Sequence, residues 1–171
     1  MVAPKDEGRR MKPKVIVLRT AGTNCDKETA FAFESVGAKA ELVHVNRLIS
    51  KEKKLSDYQI LAIPGGFTYG DDIASGKILA NEVKYRLNSA LKNFIKSGKV
   101  IIGICNGFQV LVKAGFLPNV RSNFESIEAT LSLNDSAKFE DRWVYLKNPK
   151  SKYYKIQNKS QIQNSKRNRK I

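Results

Sequence analysis

Histidine and cysteine are scarce in this 171-residue chain: His44 is the one imidazole, and Cys25 and Cys105 are the two thiols. A lone histidine excludes any site that draws two imidazoles from this chain. Two cysteines are too few for a disulfide framework or a four-cysteine zinc site. Acidic residues are also few, 16 against 31 Lys and Arg. Long hydrophobic runs are missing: segments such as Ile60 to Pro64 are interrupted by Gly or Pro within a handful of residues, which excludes a membrane-spanning helix. The first ten residues are charged without an apolar stretch, so no secretory leader is expected. The expected setting is soluble, reducing and cytoplasmic.

The net charge of +15 is unevenly spread. Residues 149–171 hold eight basic side chains and no acidic one, and residues 1–14 carry a net +3, which leaves +4 for residues 15–148. A nucleic-acid protein is expected to place its charge on the folded body, beside aromatics or on a recognition helix. Here the charge sits at the ends, so neither nucleic acid nor membrane is an expected partner. The length suits one domain with a real core. The expected organisation is an extension over residues 1–13, a domain over 14–148, and a basic tail over 149–171 whose composition cannot bury enough apolar surface to fold.

Within the body, short β-branched runs alternate with helical patterns. Strands are expected at Lys14 to Leu18, Ala40 to Val45, Gln59 to Ile63 and Lys99 to Ile104. Helices are expected at Glu28 to Val36, capped by Asn24 or Asp26 and stopped at Gly37, at Lys77 to Lys96, and at Asn106 to Ala114. Asn46 to Tyr58 reads as loop with a short turn. Solid apolar strands between helices indicate an α/β fold with a doubly wound, mostly parallel sheet. In such folds ligands bind at the carboxyl ends of the strands, where Thr20 to Asn24, Pro64 to Gly76 and the Cys105 turn should converge. Ser126 to Leu133 and Lys138 to Leu146 alternate around Asn134 to Ser136 and predict a β-hairpin after the last helix.

The strongest local signal is the segment from Lys99 to Val112. An apolar strand runs into Gly103-Ile-Cys105-Asn-Gly107 and then into a helix. G-x-C-x-G is the thiol form of the nucleophile elbow. So sharp a turn holds its central residue in strained backbone angles and leaves no room for side chains two residues either side. It lifts the sulfur out of the sheet to a helix N-terminus, where the helix field favours a thiolate and the Asn106 N–H can receive an oxyanion. On the motif alone, a small buried hydrophobe and a nucleophile are both open for Cys105. Pro64-Gly-Gly-Phe-Thr-Tyr-Gly-Asp-Asp72 follows a strand directly, and its glycines let the backbone turn N–H groups toward a ligand, as a second oxyanion donor. Asp71 and Asp72 read as a solvated loop ahead of metal ligands, and Cys25, without a glycine pair or a strand directly before it, as structural.

Gly22-Thr-Asn-Cys-Asp26, Pro64 to Asp71, Gly103 to Gln109, and Asn134-Asp-Ser with Lys138-Phe139 and Arg142-Trp143 together resemble the class I (triad-type) glutamine amidotransferases. More narrowly, they resemble the glutaminase subunits of phosphoribosylformylglycinamidine synthase. The resemblance runs from about Lys14 to about Asn148. It implies a flavodoxin-like fold in which Cys105 attacks the side-chain amide of L-glutamine, ammonia leaves, and water releases glutamate from a thioester. It implies an oxyanion hole from the N–H groups of Asn106 and of Gly66 or Phe67. It further implies contacts to bound glutamine from Gly65, Gly66, Phe67 and Gln109. No cofactor or metal belongs to this chain. ATP and magnesium belong to a partner synthetase subunit that aminates formylglycinamide ribonucleotide in purine biosynthesis, and a small accessory subunit is a further candidate partner.

One family feature finds no match. The resemblance implies a His-x-Glu pair near the C-terminus, whereas His44 is followed by Val45 and Asn46. His44 is therefore read as a strand-end residue. The expectation is a C-terminally truncated or frame-shifted amidotransferase, poorly stable and nearly inactive. Alternatives are a non-enzymatic subunit that only docks on a synthetase, a small hydrolase or redox sensor with an elbow cysteine, and a nucleic-acid binder acting through the tail.

Overall fold

The computed structural model describes residues 11–118 and 127–145. The expectations for residues 149–171, and for 1–10 of the N-terminal extension, lie outside them. Two compact units divide the chain, Met1–Leu131 and Ser132–Ile171.

In the first unit four strands form one parallel sheet in the order β2-β1-β3-β4: β1 (Lys14–Arg19), β2 (Lys39–His44), β3 (Ile60–Ile63) and β4 (Val100–Gly103). β1 is covered on both faces, and its four central residues are buried, which accounts for a solid apolar run instead of alternation. Ile16, Leu18, Val43, Leu61 and Ile63 point to one face, under α3 (Lys77–Arg86), α4 (Asn88–Lys96) and α5 (Asn106–Lys113). Val15, Val17 and Ala62 point to the other, where Ala30 and Phe33 of α1 (Asp26–Ser35) pack on them. This is the expected doubly wound arrangement. α1 lies against β1 and β2, so the same face of β4 is left open: Val100 is 54% and Ile102 39% exposed.

Three local expectations are corrected. Lys77 to Lys96 is two helices, because the chain breaks at Leu87 (φ −113°, ψ 1°). The buried residues Leu79, Val83, Leu87 and Leu91 recur every four residues, and each such step drifts about 40° around a straight helix. The break re-aims α4 so that Leu91 and Phe94 still face the core. Asn46 to Tyr58 holds a short helix, α2 (Val45–Ile49), and a single 3₁₀ turn at Leu55–Asp57. The α1 cap position belongs to Cys25, not Asn24 or Asp26, and carries no side-chain cap. Asp26 instead begins the helix, buried, with Oδ2 2.5 Å from Arg19 Nε.

The hairpin is also corrected: no strand forms over the described residues 127–145. In the second unit only the reversal survives, with the Ala137 N–H donating to Asn134 O (2.8 Å) and Asn134 Nδ2 to Lys138 O (2.9 Å). Leu133, Phe139 and Trp143 are exposed. A single two-stranded ribbon is at best marginally stable in water, so alternation alone does not secure it.

Candidate active site

β4 ends at Gly103, and α5 begins after two intervening residues. Cys105 stands between them at φ 51°, ψ −109°, a conformation that costs a non-glycine residue about 1–3 kcal/mol and is characteristic of functional turns. Both flanking glycines are sterically required. A Cβ on Gly103 would lie 2.6 Å from Gly107 O, and one on Gly107 would lie 2.0 Å from Ile63 O. The Ile104 N–H donates to Ile63 O (3.0 Å), the Gly107 N–H to Ile104 O (2.9 Å) and the Gln109 N–H to Cys105 O (3.1 Å). Cys105 itself is exposed, so the reading of this residue as a buried hydrophobe is set aside.

The three loops at the carboxyl ends of the strands meet here. Gly66 pairs with Thr23 in a short antiparallel bridge. The Phe67 N–H donates to Gly22 O (2.8 Å), the Tyr69 N–H to Ala21 O (2.8 Å) and the Cys25 N–H to Gly65 O (3.2 Å). Only glycine fits at Gly66 (φ +136°), where a Cβ would lie 2.6 Å from Asn24 N. Beside this bridge the Phe67 amide is engaged with Gly22 O, whereas the Gly66 N–H has no backbone acceptor among the described residues. The Asn106 N–H belongs to the first turn of α5, whose amides have no partner within the helix. The Phe67 side chain is 63% exposed.

Asn106 ties the elbow to the glycine-rich loop. It is 1% exposed. Its Oδ1 accepts from Thr68 N–H (3.3 Å) and Thr68 Oγ1 (2.7 Å), and its Nδ2 donates to Asp71 Oδ1 (3.1 Å) and Gln109 Oε1 (3.1 Å). Asp71 Oδ1 also accepts from the Gly76 N–H (3.0 Å). Asp71 is thus not merely solvated but a brace across the loop. Tyr69 is held at the same place: its hydroxyl donates to Glu82 Oε2 (2.8 Å), and burial pushes its phenol up, Glu82 adding to the shift while a hydrogen bond with Thr20 opposes it.

Two of the chain's sparse reactive side chains turn out otherwise than, or beyond, their sequence reading. His44 ends β2, and its Nδ1 accepts from the Asn46 N–H (3.2 Å) to cap α2. β1 and β3 stand between β2 and β4, and three strand spacings amount to about 14 Å. Cys25 is exposed and faces the crevice: at the place of the missing Gly65 side chain, an atom would lie 3.5 Å from Cys105 Cβ and 3.7 Å from Cys25 Sγ. Nothing in the spacing of the two cysteines signals this proximity, because it arises from the sheet bringing β1 and β4 either side of β3.

A family model described as a CobB/CobQ-like glutamine amidotransferase domain matches residues 12–164. The chain belongs to the glutamine amidotransferase family. A phosphoribosylformylglycinamidine synthase subunit PurQ from Dehalococcoides mccartyi is 52% identical over 135 residues, which cover 79% of this chain and 52% of that relative. The subunit of the same name from Archaeoglobus fulgidus is 43% identical over 158 residues, 87% of this chain and 58% of the relative. Among solved structures, the PurLQS complex from Thermotoga maritima contains a chain with a TM-score of 0.63 and 33% identity, over 81% of this chain and 57% of that one. This amidotransferase chain spans about half the length of the curated relatives it matches. Among the described residues no helix is long and apolar enough to cross a membrane.

Proposed function

We propose that this chain provides the nucleophile and oxyanion pocket of a glutaminase, the amidotransferase subunit of a phosphoribosylformylglycinamidine synthase. The observation that carries the reading is an exposed Cys105 on a strained elbow, with the Gly65 position of the glycine-rich loop 3.5 Å from its Cβ. The Cys105 sulfur attacks the side-chain carbonyl carbon of L-glutamine. The carbonyl oxygen becomes an oxyanion held by the N–H groups of Asn106 and Gly66, donors fixed before the charge appears and worth about 3–4 kcal/mol apiece in comparable sites. Collapse expels ammonia and leaves a glutamyl thioester, which water hydrolyses to glutamate. The backbone of Gly65 to Phe67 and the Gln109 side chain contact the bound amino acid. The ammonia passes to a synthetase subunit that holds ATP and magnesium, in a cytoplasmic complex that includes a small accessory subunit.

The proton for the leaving ammonia does not come from His44, which lies across the sheet with its Nδ1 engaged at α2. The Cys105 thiol, exposed at the elbow, is placed to form the covalent adduct.

An electrophilic glutamine analogue tests this. Intact and peptide mass spectrometry should place one label on Cys105, with excess L-glutamine protecting and Cys105→Ser abolishing it. Labelling that glutamine does not slow, or that falls on Cys25, would overturn the assignment.

A further inference from the structure

Cys25 caps nothing. The first turn of α1 receives no bond from its side chain, while its backbone is well anchored: its carbonyl accepts from Thr29 N–H (3.1 Å) and Thr29 Oγ1 (2.5 Å), and its N–H donates to Gly65 O (3.2 Å). The exposed thiol is thus held in place without a structural task. It faces the gap over Gly65 that Cys105 borders from the other side. Each cysteine also stands directly before a helix, α1 and α5. The two thiols of the chain meet at one crevice although 80 residues separate them in sequence.

The geometry points to Cys25 and Cys105 as a paired oxidative modification site, in which Cys25 resolves peroxide damage at Cys105 by forming an intrachain disulfide. The Cys105 thiolate attacks one oxygen of hydrogen peroxide, the O–O bond breaks, and hydroxide leaves. The sulfur is oxidised to sulfenic acid and the peroxide is reduced. The Cys25 thiol then attacks that sulfur, the S–O bond breaks, and the hydroxyl leaves as water with the thiol proton. Small-molecule thiols return both cysteines to the reduced form by exchange. Sulfenic acid left unresolved would go on to irreversible sulfinic acid, so a resolving neighbour turns loss of the nucleophile into a reversible pause. Gly65 permits the closure: without a side chain there, rotation of the two cysteines and a small loop shift bring the sulfurs together. The inference needs only that Cys105 is an accessible thiol, and its test reads mass, not turnover.

The reduced chain is treated with a tenfold molar excess of hydrogen peroxide and analysed by intact mass and non-reducing peptide mapping. A loss of two hydrogen atoms is expected, with a Cys25–Cys105 linked peptide that dithiothreitol separates. In Cys25→Ser, Cys105 should instead gain two or three oxygen atoms. Gly65→Ala is a second variant: its methyl group would sit at ordinary contact distance from both cysteines, 3.5 and 3.7 Å. It fits the fold but occupies the gap, and should slow disulfide formation roughly tenfold by blocking access. Wild-type chain whose Cys105 over-oxidises while Cys25 stays reduced, chain that links only between molecules, or chain that does not react would each overturn the proposal. Failure of the glutaminase reading would show separately, in analogue labelling that glutamine does not slow.

Discussion

Gly107→Ala is the sharpest test of the elbow. Gly107 does not sit at positive φ, so alanine meets no backbone objection and the cost is purely steric. Its Cβ would lie 2.0 Å from Ile63 O, 2.7 Å from Ile63 C and 3.0 Å from Pro64 O. These are backbone atoms at the end of β3 and cannot rotate away. α5 must shift by more than an ångström, which strains the Ile104 N–H···O Ile63 bond and the two Thr68–Asn106 bonds. Overpacking costs about 1–3 kcal/mol, and each of the three weakened bonds adds about 1 kcal/mol, so a loss of about 4–6 kcal/mol is expected. With a urea m-value of about 1–3 kcal/mol/M for small proteins, the unfolding midpoint should fall by more than about 1 M with m unchanged. Gly37→Ala is the control. It meets nothing within 4 Å but has φ +89°, so it should cost only about 1–2 kcal/mol. Equilibrium urea unfolding followed by circular dichroism measures both. A Gly107→Ala midpoint equal to or above that of Gly37→Ala would refute the close packing of α5 on β3.

Asn106→Ala should cost about 2–4 kcal/mol, because Thr68 and Asp71 lose buried partners, and should at least halve the rate of analogue labelling at Cys105. Asn106→Asp should do worse, since an acceptor replaces the donor that faces Asp71, and chemical denaturation ranks the two. His44→Gln should remove the α2 cap at about 0.5–1 kcal/mol and leave Cys105 alkylation unchanged at every pH; a changed pH profile would place His44 nearer the sulfur than the sheet order allows. Burial raises the phenols of Tyr58 and Tyr69, with further upward pushes from Glu41 and Glu82 respectively. Their stabilisation is therefore complete below the unfolded tyrosine value of about 10 and is lost as pH rises through the higher folded values. Two of the six tyrosines should ionise in ultraviolet titration only as the chain unfolds, and simultaneous ionisation of all six near pH 10 would contradict the contacts described.

The sheet was legible because burial on two faces writes itself as uninterrupted Val, Ile and Leu, as in β1. The elbow was legible because two glycines at fixed spacing answer a backbone clash that any such turn creates. The kink at Leu87 was not legible: a four-residue recurrence of apolar positions reads as one helix until the accumulated rotation is set against a flat sheet. α2 was hidden behind polar neighbours, although Val45, Leu48 and Ile49 carry its spacing. The hairpin failed in the opposite direction, since alternation states a preference for pleated backbone and does not supply a layer to pack against. The nearness of Cys25 to Cys105 was invisible because sequence spacing is silent on which strands become neighbours. For the same reason the engagement of the Phe67 amide with Gly22 O could not be foreseen.

Asn106 holds positions 68 and 71 from 38 and 35 residues away, while its own peptide unit directly follows the exposed Cys105. The pocket consequently has no half-built form. Any fluctuation that frees the glycine loop also releases the first turn of α5, and the hydrogen-bonded amides of Phe67, Thr68, Gly107 and Gln109 should exchange with solvent deuterium together, at one shared opening free energy.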